Sequence, residues 1–133
     1  MDIRIGYGVL ILSLGAHGCG DRLGGQQPDS LPAGVTPAMI AQGKKLFSGE
    51  GLCFSCHGPE AKGLVGPDLT DGIWLIGTGT FDQIVARILE GVPADKSKSG
   101  VVMPPKGGTN LKDEQVRAVA AYVWSLSRKP GKS

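Results

Sequence analysis

The chain has 133 residues and a formal net charge of +2, with 41% hydrophobic but only 5% aromatic residues and 22 glycines. That length suits one domain and is too short for two of ordinary size, while so small a charge, with no basic run interleaved with aromatics, sets nucleic-acid binding aside. Glycine is roughly a sixth of the chain against a usual share of about 7%, so something other than large side chains has to fill the interior.

Met1-Asp2-Ile3-Arg4 precedes the apolar run IGYGVLILSLGA at 5–16. A run of about 12 residues is short for a bilayer span, which takes roughly 20, and suits the apolar centre of a secretion signal. Residues 1–18 are therefore read as a signal peptide, and the mature chain is expected in the periplasm or on the extracytoplasmic face of the membrane. Cys19 behind Gly18 resembles the processing site of bacterial lipoproteins, in which the cysteine becomes a lipidated N-terminus and a membrane anchor. The alternative is cleavage nearby, with Cys19 removed or left incidental. Residues 19–35 are rich in Gly, Pro, Gln and Asp without an apolar period, which reads as a flexible tether.

A domain follows over 36–128. Thr36-Pro37 offers a capping hydroxyl and a proline where its missing N–H is harmless, and Ile40, Gly43 and Phe47 recur on one face, predicting a helix over about 36–48. Thr80 and Gln83 have capping-box spacing, and Phe81, Ile84, Val85, Ile88 and Leu89 continue a second helix until Gly91 and Pro93. The third begins near Leu111 to Asp113 and carries Val116, Val119, Tyr122, Val123 and Leu126 on one face, with Asp113 and Glu114 at its positive end. It stops before Lys129-Pro130-Gly131, leaving 129–133 as a tail. No strand alternation and no repeat is visible. Three helices joined by long glycine-rich loops make a poor apolar core, and a large buried cofactor with flat apolar faces would complete it.

Cys53-Phe54-Ser55-Cys56-His57 is the C-x-x-C-H pattern of covalent haem c attachment. Two thiols three positions apart on a helix-like turn can each add to a vinyl group on one side of a porphyrin, and the next residue then presents its imidazole to the iron. Three other uses of the cluster compete with this one. Structural zinc needs about four ligands, and beyond the cluster only His17 and Cys19 remain, both in or beside the signal. A thioredoxin-like dithiol wants a β-α-β surround that is not visible, and a plain structural disulfide between Cys53 and Cys56 is the third alternative. One covalent haem is the reading taken, with His57 as an iron ligand.

The sixth ligand has two methionine candidates beyond Met1. Met39 sits on the first helix, where packing explains it. Met103, in GVVMPPKGG, is pushed out of the α-region by Pro104, and the proline pair stiffens the segment, which suits a sulfur held at iron in both oxidation states.

These residues resemble the class I c-type cytochromes over about 36–128. The haem motif carries the likeness, with Gly66-Pro67-Asp68-Leu69, Met103-Pro104-Pro105 and LKDEQVRAVAAYVWSLS at 111–127 in the family's order. The stretch DGIWLIGTGTFDQIV at 71–85 looks like the haem domains of cytochrome c subunits in cbb-type oxidases. The resemblance implies an all-α cytochrome c fold, three main helices wrapped with loops around one haem, whose first and last helices cross at Gly43 and Phe47 against Tyr122. It implies that the Pro67 carbonyl accepts from His57 Nδ1 and that Leu69, with Leu64, Val65, Ile84 and Ile88, packs on the ring, although helical spacing would equally make the two isoleucines ordinary core. Trp74 and Arg87 are candidates for the haem carboxylates, against a packed indole and a solvated helix charge.

Two departures stand out. Lys112 occupies the cap position of the last helix where Ser or Thr is frequent, and VPADKSKSG at 92–100 makes the approach to Met103 longer and more polar. Lys96, Lys98, Lys62 and Lys106 would form a basic rim attractive to an acidic partner, or lie scattered in solvent. The expected function is single-electron transfer between protein redox partners, without substrate turnover, as a monomer or a respiratory-complex subunit. The rivals are a haem enzyme or a gas or peroxide sensor with a displaceable Met103, and a docking subunit of a respiratory complex.

Overall fold

The computed structural model describes residues 30–128. The signal segment 1–18, Cys19 and its lipidation, the tether as far as residue 29 and the tail 129–133 lie outside the described residues. Helix α1 (Pro37–Phe47) starts where Thr36 Oγ1 accepts from the Met39 N–H at 3.2 Å. A single turn, α2 (Phe54–His57), carries the haem motif. In α3 (Phe81–Glu90) the cap is Thr80, whose hydroxyl accepts from the Gln83 N–H at 3.4 Å, and Gly91 at φ 74° closes the helix. A 3-10 turn at Ala94–Lys96 and a tight turn over Pro105–Gly108, left-handed at Lys106 and Gly107, lead to α4 (Asp113–Leu126). Among the described residues no strand forms; the one extended pairing is an isolated antiparallel bridge between Val92 and Met103.

The cap of α4 works around its lysine. Gln115 Oε1 accepts from the Lys112 N–H at 2.9 Å, and the same amide donates to a Glu50 carboxylate oxygen at 3.2 Å. A lysine side chain has no acceptor to offer, so the glutamine supplies the reciprocal half of a capping box and the helix starts without the hydroxyl half.

Helix α4 is the spine. Val116, Ala118, Val119, Ala120, Ala121, Val123, Trp124 and Leu126 are buried on it, and the alanines let neighbouring backbones approach. Helix α1 crosses it at Gly43, where a Cβ would overlap the Ala118 carbonyl and come within 2.9 Å of Tyr122 Cβ. Phe47, fully buried, meets Tyr122 edge-on with centroids 5.5 Å apart, a geometry that adds about 0.5–1.5 kcal/mol to the area term. Helix α3 lays Phe81, Ile84 and Ile88 into the same core, and Arg117 of α4 stacks over the Phe81 ring at 4.9 Å. Small residues at the crossing account for a core with so few aromatics.

The packed region begins earlier than residue 36. Val35 is buried, and its N–H donates to the Pro32 carbonyl at 3.0 Å in a turn. The last residues assigned to a tether thus belong to the domain, because Val35 has apolar neighbours that a composition count cannot reveal.

Gly43→Ala tests the helix crossing. Alanine gains about 1 kcal/mol of helix propensity, yet the added methyl meets a backbone carbonyl that cannot swing aside, and overpacking of this kind costs about 1–3 kcal/mol or more. Net destabilisation is expected, read as a lower thermal midpoint of the haem-loaded protein.

Candidate functional site

The haem motif begins on a strained approach. Leu52 has φ 52°, its N–H donates to the Gly49 carbonyl at 3.0 Å, and Gly51 is packed with Cys53 Sγ 3.3 Å from where its Cβ would lie. The chain then turns helically, with His57 N–H donating to the Cys53 carbonyl at 2.9 Å and Gly58 N–H to the Phe54 carbonyl at 2.9 Å. Positions three apart on such a turn share a face, so Cys53 and Cys56 face one cleft. Their thiols are unbridged. Burial pushes the Cys53 thiol up to about 11, so at neutral pH it is a protonated thiol with little tendency to oxidise.

After His57 the loop folds back on its own motif. Gly63 N–H donates to the His57 carbonyl and Gly66 N–H to the Cys56 carbonyl, each at 2.8 Å. This brings Gly66 flat against the imidazole, where a Cβ would stand 2.8 Å from both Cε1 and Nδ1. Pro67 follows, and its carbonyl lies 3.0 Å from His57 Nδ1. With Nδ1 as donor there, Nε2 is left as the acceptor, the state an iron ligand requires. Burial lowers the His57 pKa, partly opposed by the Pro67 carbonyl, so the ring is neutral at physiological pH. Asp68 Oδ1 then fixes the turn by accepting from the Thr70 N–H at 2.6 Å and the Thr70 hydroxyl at 2.7 Å.

The second candidate ligand stands on an equally determined segment. Met103 N–H donates to the Val92 carbonyl at 2.9 Å and Val92 N–H to the Met103 carbonyl at 2.8 Å, which gives the extended form that Pro104 favours. Gly91 sits so close that a Cβ there would overlap the Met103 carbonyl. Beyond the prolines, Lys106 takes a left-handed conformation (φ 54°, ψ 27°), and its ammonium donates to the Leu111 carbonyl at 2.8 Å and to Asp113 Oδ1 at 2.9 Å. Gly107 then presses on the haem-motif approach, with its Cβ position 2.7 Å from the Gly51 carbonyl oxygen.

Cys53, Cys56, His57, Pro67, Leu69, Trp74, Arg87 and Met103 all line one wide cleft of about 1380 Å³ including its open mouth. Its walls are mainly apolar, with Ile84 and Ile88 of α3 and Val119 and Val123 of α4 at the back. Among the described residues no three His, Cys, Asp or Glu side chains cluster as a metal site by themselves. A flat apolar group with one nitrogen and one sulfur ligand at its metal suits this donor set, and the Gly66 backbone leaves the imidazole the room that such a group needs; the residues fit haem c.

Several expectations need adjustment. Val65 lines the cleft but Leu64 does not; it is 70% exposed and stands near Gly58 instead, because the return of the chain to Cys56 turns one neighbour inward and the other out. The four lysines do not make one rim. Lys96 and Lys98 line the cleft, whereas Lys106 is tied to α4 and Lys62 is paired with Glu60 at 2.7 Å. Trp74 lies against Gly79, where any side chain would collide with its indole, and Arg87 reaches the Gly91 carbonyl at 3.5 Å and a Glu90 carboxylate oxygen at 3.9 Å. Gln83 does not reach back to its cap. Its Oε1 accepts from the Thr78 N–H at 2.7 Å and so pins the 71–80 loop. Sequence reasoning missed Ser97, Val101 and Val102 as lining residues; the apolar pair before Met103 was the available signal.

The cytochrome c family profile matches residues 40–127. The chain belongs to the cytochrome c family. Its all-α fold and the covalent haem c that the family implies agree with the cleft and its two thiols. This cytochrome is 40% identical over 95 residues to the cbb3-type cytochrome c oxidase subunit CcoP of Rubrivivax gelatinosus, covering 71% of this chain and 28% of that one. It is 42% identical over 94 residues to the cbb3-type subunit FixPc of Rhizobium leguminosarum bv. viciae, covering 68% and 31%. A CcoP of Rhodobacter capsulatus matches at 40% over 98 residues, 67% and 30%. The cytochrome thus spans under a third of the length of these relatives. Among its described residues no helix is long and apolar enough to cross a membrane.

Two substitutions probe this geometry. Gly66→Ala should tilt the imidazole while leaving both cysteines in place, so covalent haem persists and the absorption spectrum changes. Lys106→Met removes two bonds from a charged donor, a loss of about 1–2 kcal/mol given partial exposure, and chemical denaturation of the holoprotein should register it.

Proposed function

We propose that this cytochrome c domain is a monohaem electron-transfer module in which Cys53 and Cys56 hold the haem, His57 Nε2 and Met103 sulfur are its axial ligands, and no substrate is turned over. The observation that carries this reading is the convergence of both thiols, the Pro67-oriented imidazole and the bridge-held methionine on one apolar cleft. Bound haem c supplies a one-electron couple at its iron. The chain contributes orientation and exclusion of water. Pro67 keeps His57 in one tautomer, and the Val92–Met103 pairing with Pro104 keeps the thioether in place, so neither ligand has to move when charge changes. Ile73, Leu75, Ile76, Val101 and Val102 are exposed at the cleft mouth, where a partner's cofactor can approach across a short apolar gap.

The site is read as extracytoplasmic, since haem attachment and the N-terminal signal point the same way. Of the rival readings, membership of a respiratory complex is favoured by the relatives being cbb3 oxidase subunits. The double tether on Met103 argues against an open-site enzyme or a gas sensor. Optical spectroscopy decides between them. The oxidised protein should show the weak far-red sulfur-to-iron band, and the reduced form should ignore carbon monoxide. Met103→Ala should abolish the band, lower the midpoint potential and admit carbon monoxide; a wild-type spectrum that already responds to carbon monoxide would overturn the electron-transfer assignment.

A further inference from the structure

Helix α3 ends at Gly91, and the backbone it ends against is the one that carries Met103. Gly91 is buried and stands at φ 74° and ψ −169°, a region of positive φ that only glycine enters without strain. Its N–H donates to the Arg87 carbonyl at 2.9 Å and closes the helix. The next residue opens the antiparallel pairing, in which Val92 N–H donates to the Met103 carbonyl at 2.8 Å and Met103 N–H donates to the Val92 carbonyl at 2.9 Å. A Cβ on residue 91 would overlap the Met103 carbonyl oxygen, the acceptor of the first of those bonds. It would also stand 2.9 Å from the Pro105 nitrogen and 3.0 Å from the Pro104 carbonyl carbon. All three are backbone atoms, and two successive prolines leave that backbone few other conformations. No change of rotamer relieves the overlap.

Gly100 supplies the contrast. It lies on the loop between Val92 and Met103 with nearly the same φ, 71°, yet a Cβ there meets nothing within 4 Å. A side chain at 100 adds backbone strain alone, whereas one at 91 also displaces Met103. Helix α3 carries Ile84 and Ile88 at the back of the cleft, so one element sets both that wall and the place where the methionine segment rests. We propose that Gly91 is a positioning residue for the Met103 thioether, acting through the Met103 carbonyl, and that it keeps the sixth position on the iron closed to small external ligands. This rests on Met103 being the axial ligand.

The test uses the haem-loaded full chain. Gly91→Ala should keep its covalent haem, because Cys53, Cys56 and His57 stand on another segment. It should lose the far-red band, bind carbon monoxide when reduced, and move the redox equilibrium about tenfold or more towards ferric, about 59 mV for one electron. Gly100→Ala should keep the band and ignore carbon monoxide. A double-mutant comparison separates positioning from general damage. In the Met103→Ala background, adding Gly91→Ala should change carbon monoxide affinity and the redox equilibrium by less than about twofold, since the ligand it positions is already gone. A retained band in Gly91→Ala, the same losses in Gly100→Ala, additive effects in the double variant, or loss of covalent haem from Gly91→Ala each overturns the proposal, while the far-red band of the wild type leaves the electron-transfer reading standing. A wild type without that band removes both.

Discussion

One turn of helix has to present two thiols and an imidazole to the same flat apolar plate, and the rest of the fold accommodates that requirement. The helices α1, α3 and α4 bury side chains against one another at the back, but the loops between them have little to bury on their own. Ile73, Leu75, Val101 and Val102 stand exposed around the cleft in a domain this small, an arrangement that hydrophobic burial would not select unless something apolar covers the wall. The high glycine content then has a purpose. It lets backbone, not side chain, approach the plate and its ligands, as Gly66 does at His57.

Orientation at the imidazole is achieved without any charged partner. A backbone carbonyl from Pro67 holds Nδ1 and burial keeps the ring neutral, so the chain stabilises one tautomer and adds no net charge beside the metal. A carboxylate in the same place would have pulled the potential down by making the imidazole more basic. With the proposed Met103 sulfur as second ligand, the neutral shell would favour the reduced state. The charged side chains on the wall are of both signs, Arg87, Lys96 and Lys98 against Asp68.

Much of this was legible in the residues. The spacing of Cys53, Cys56 and His57 and the prolines behind Met103 single out four residues that the fold does bring to one cleft. Helix ends were legible wherever a local rule decides them, as at Thr36-Pro37, Thr80 and Gly91. Less local features were not. The Gln115–Lys112 bond ties the start of α4 from within the helix without replacing the missing hydroxyl, and Gln83 gave its side chain to Thr78, a partner upstream of the cap it was expected to close. Lys106 was read as one of four surface cations, yet a left-handed backbone at that position turns its ammonium onto Leu111 and Asp113. Leu64 and Val65 look equivalent in sequence, and only the return of the loop to Cys56 separates them. Each of these depends on where a distant segment arrives, which periodicity does not encode.

The contact between Gly107 and the Gly51 carbonyl joins two stretches that are far apart along the chain. One feeds the turn bearing the thiols and His57, and the other follows Met103, so the two proposed ligand segments rest on each other. A thermal excursion of either stretch transmits to its counterpart, which keeps the ligand-to-ligand span nearly constant. If the domain carries electrons as proposed, that shared footing would limit how far nuclei travel between oxidation states and so lower the reorganisation energy.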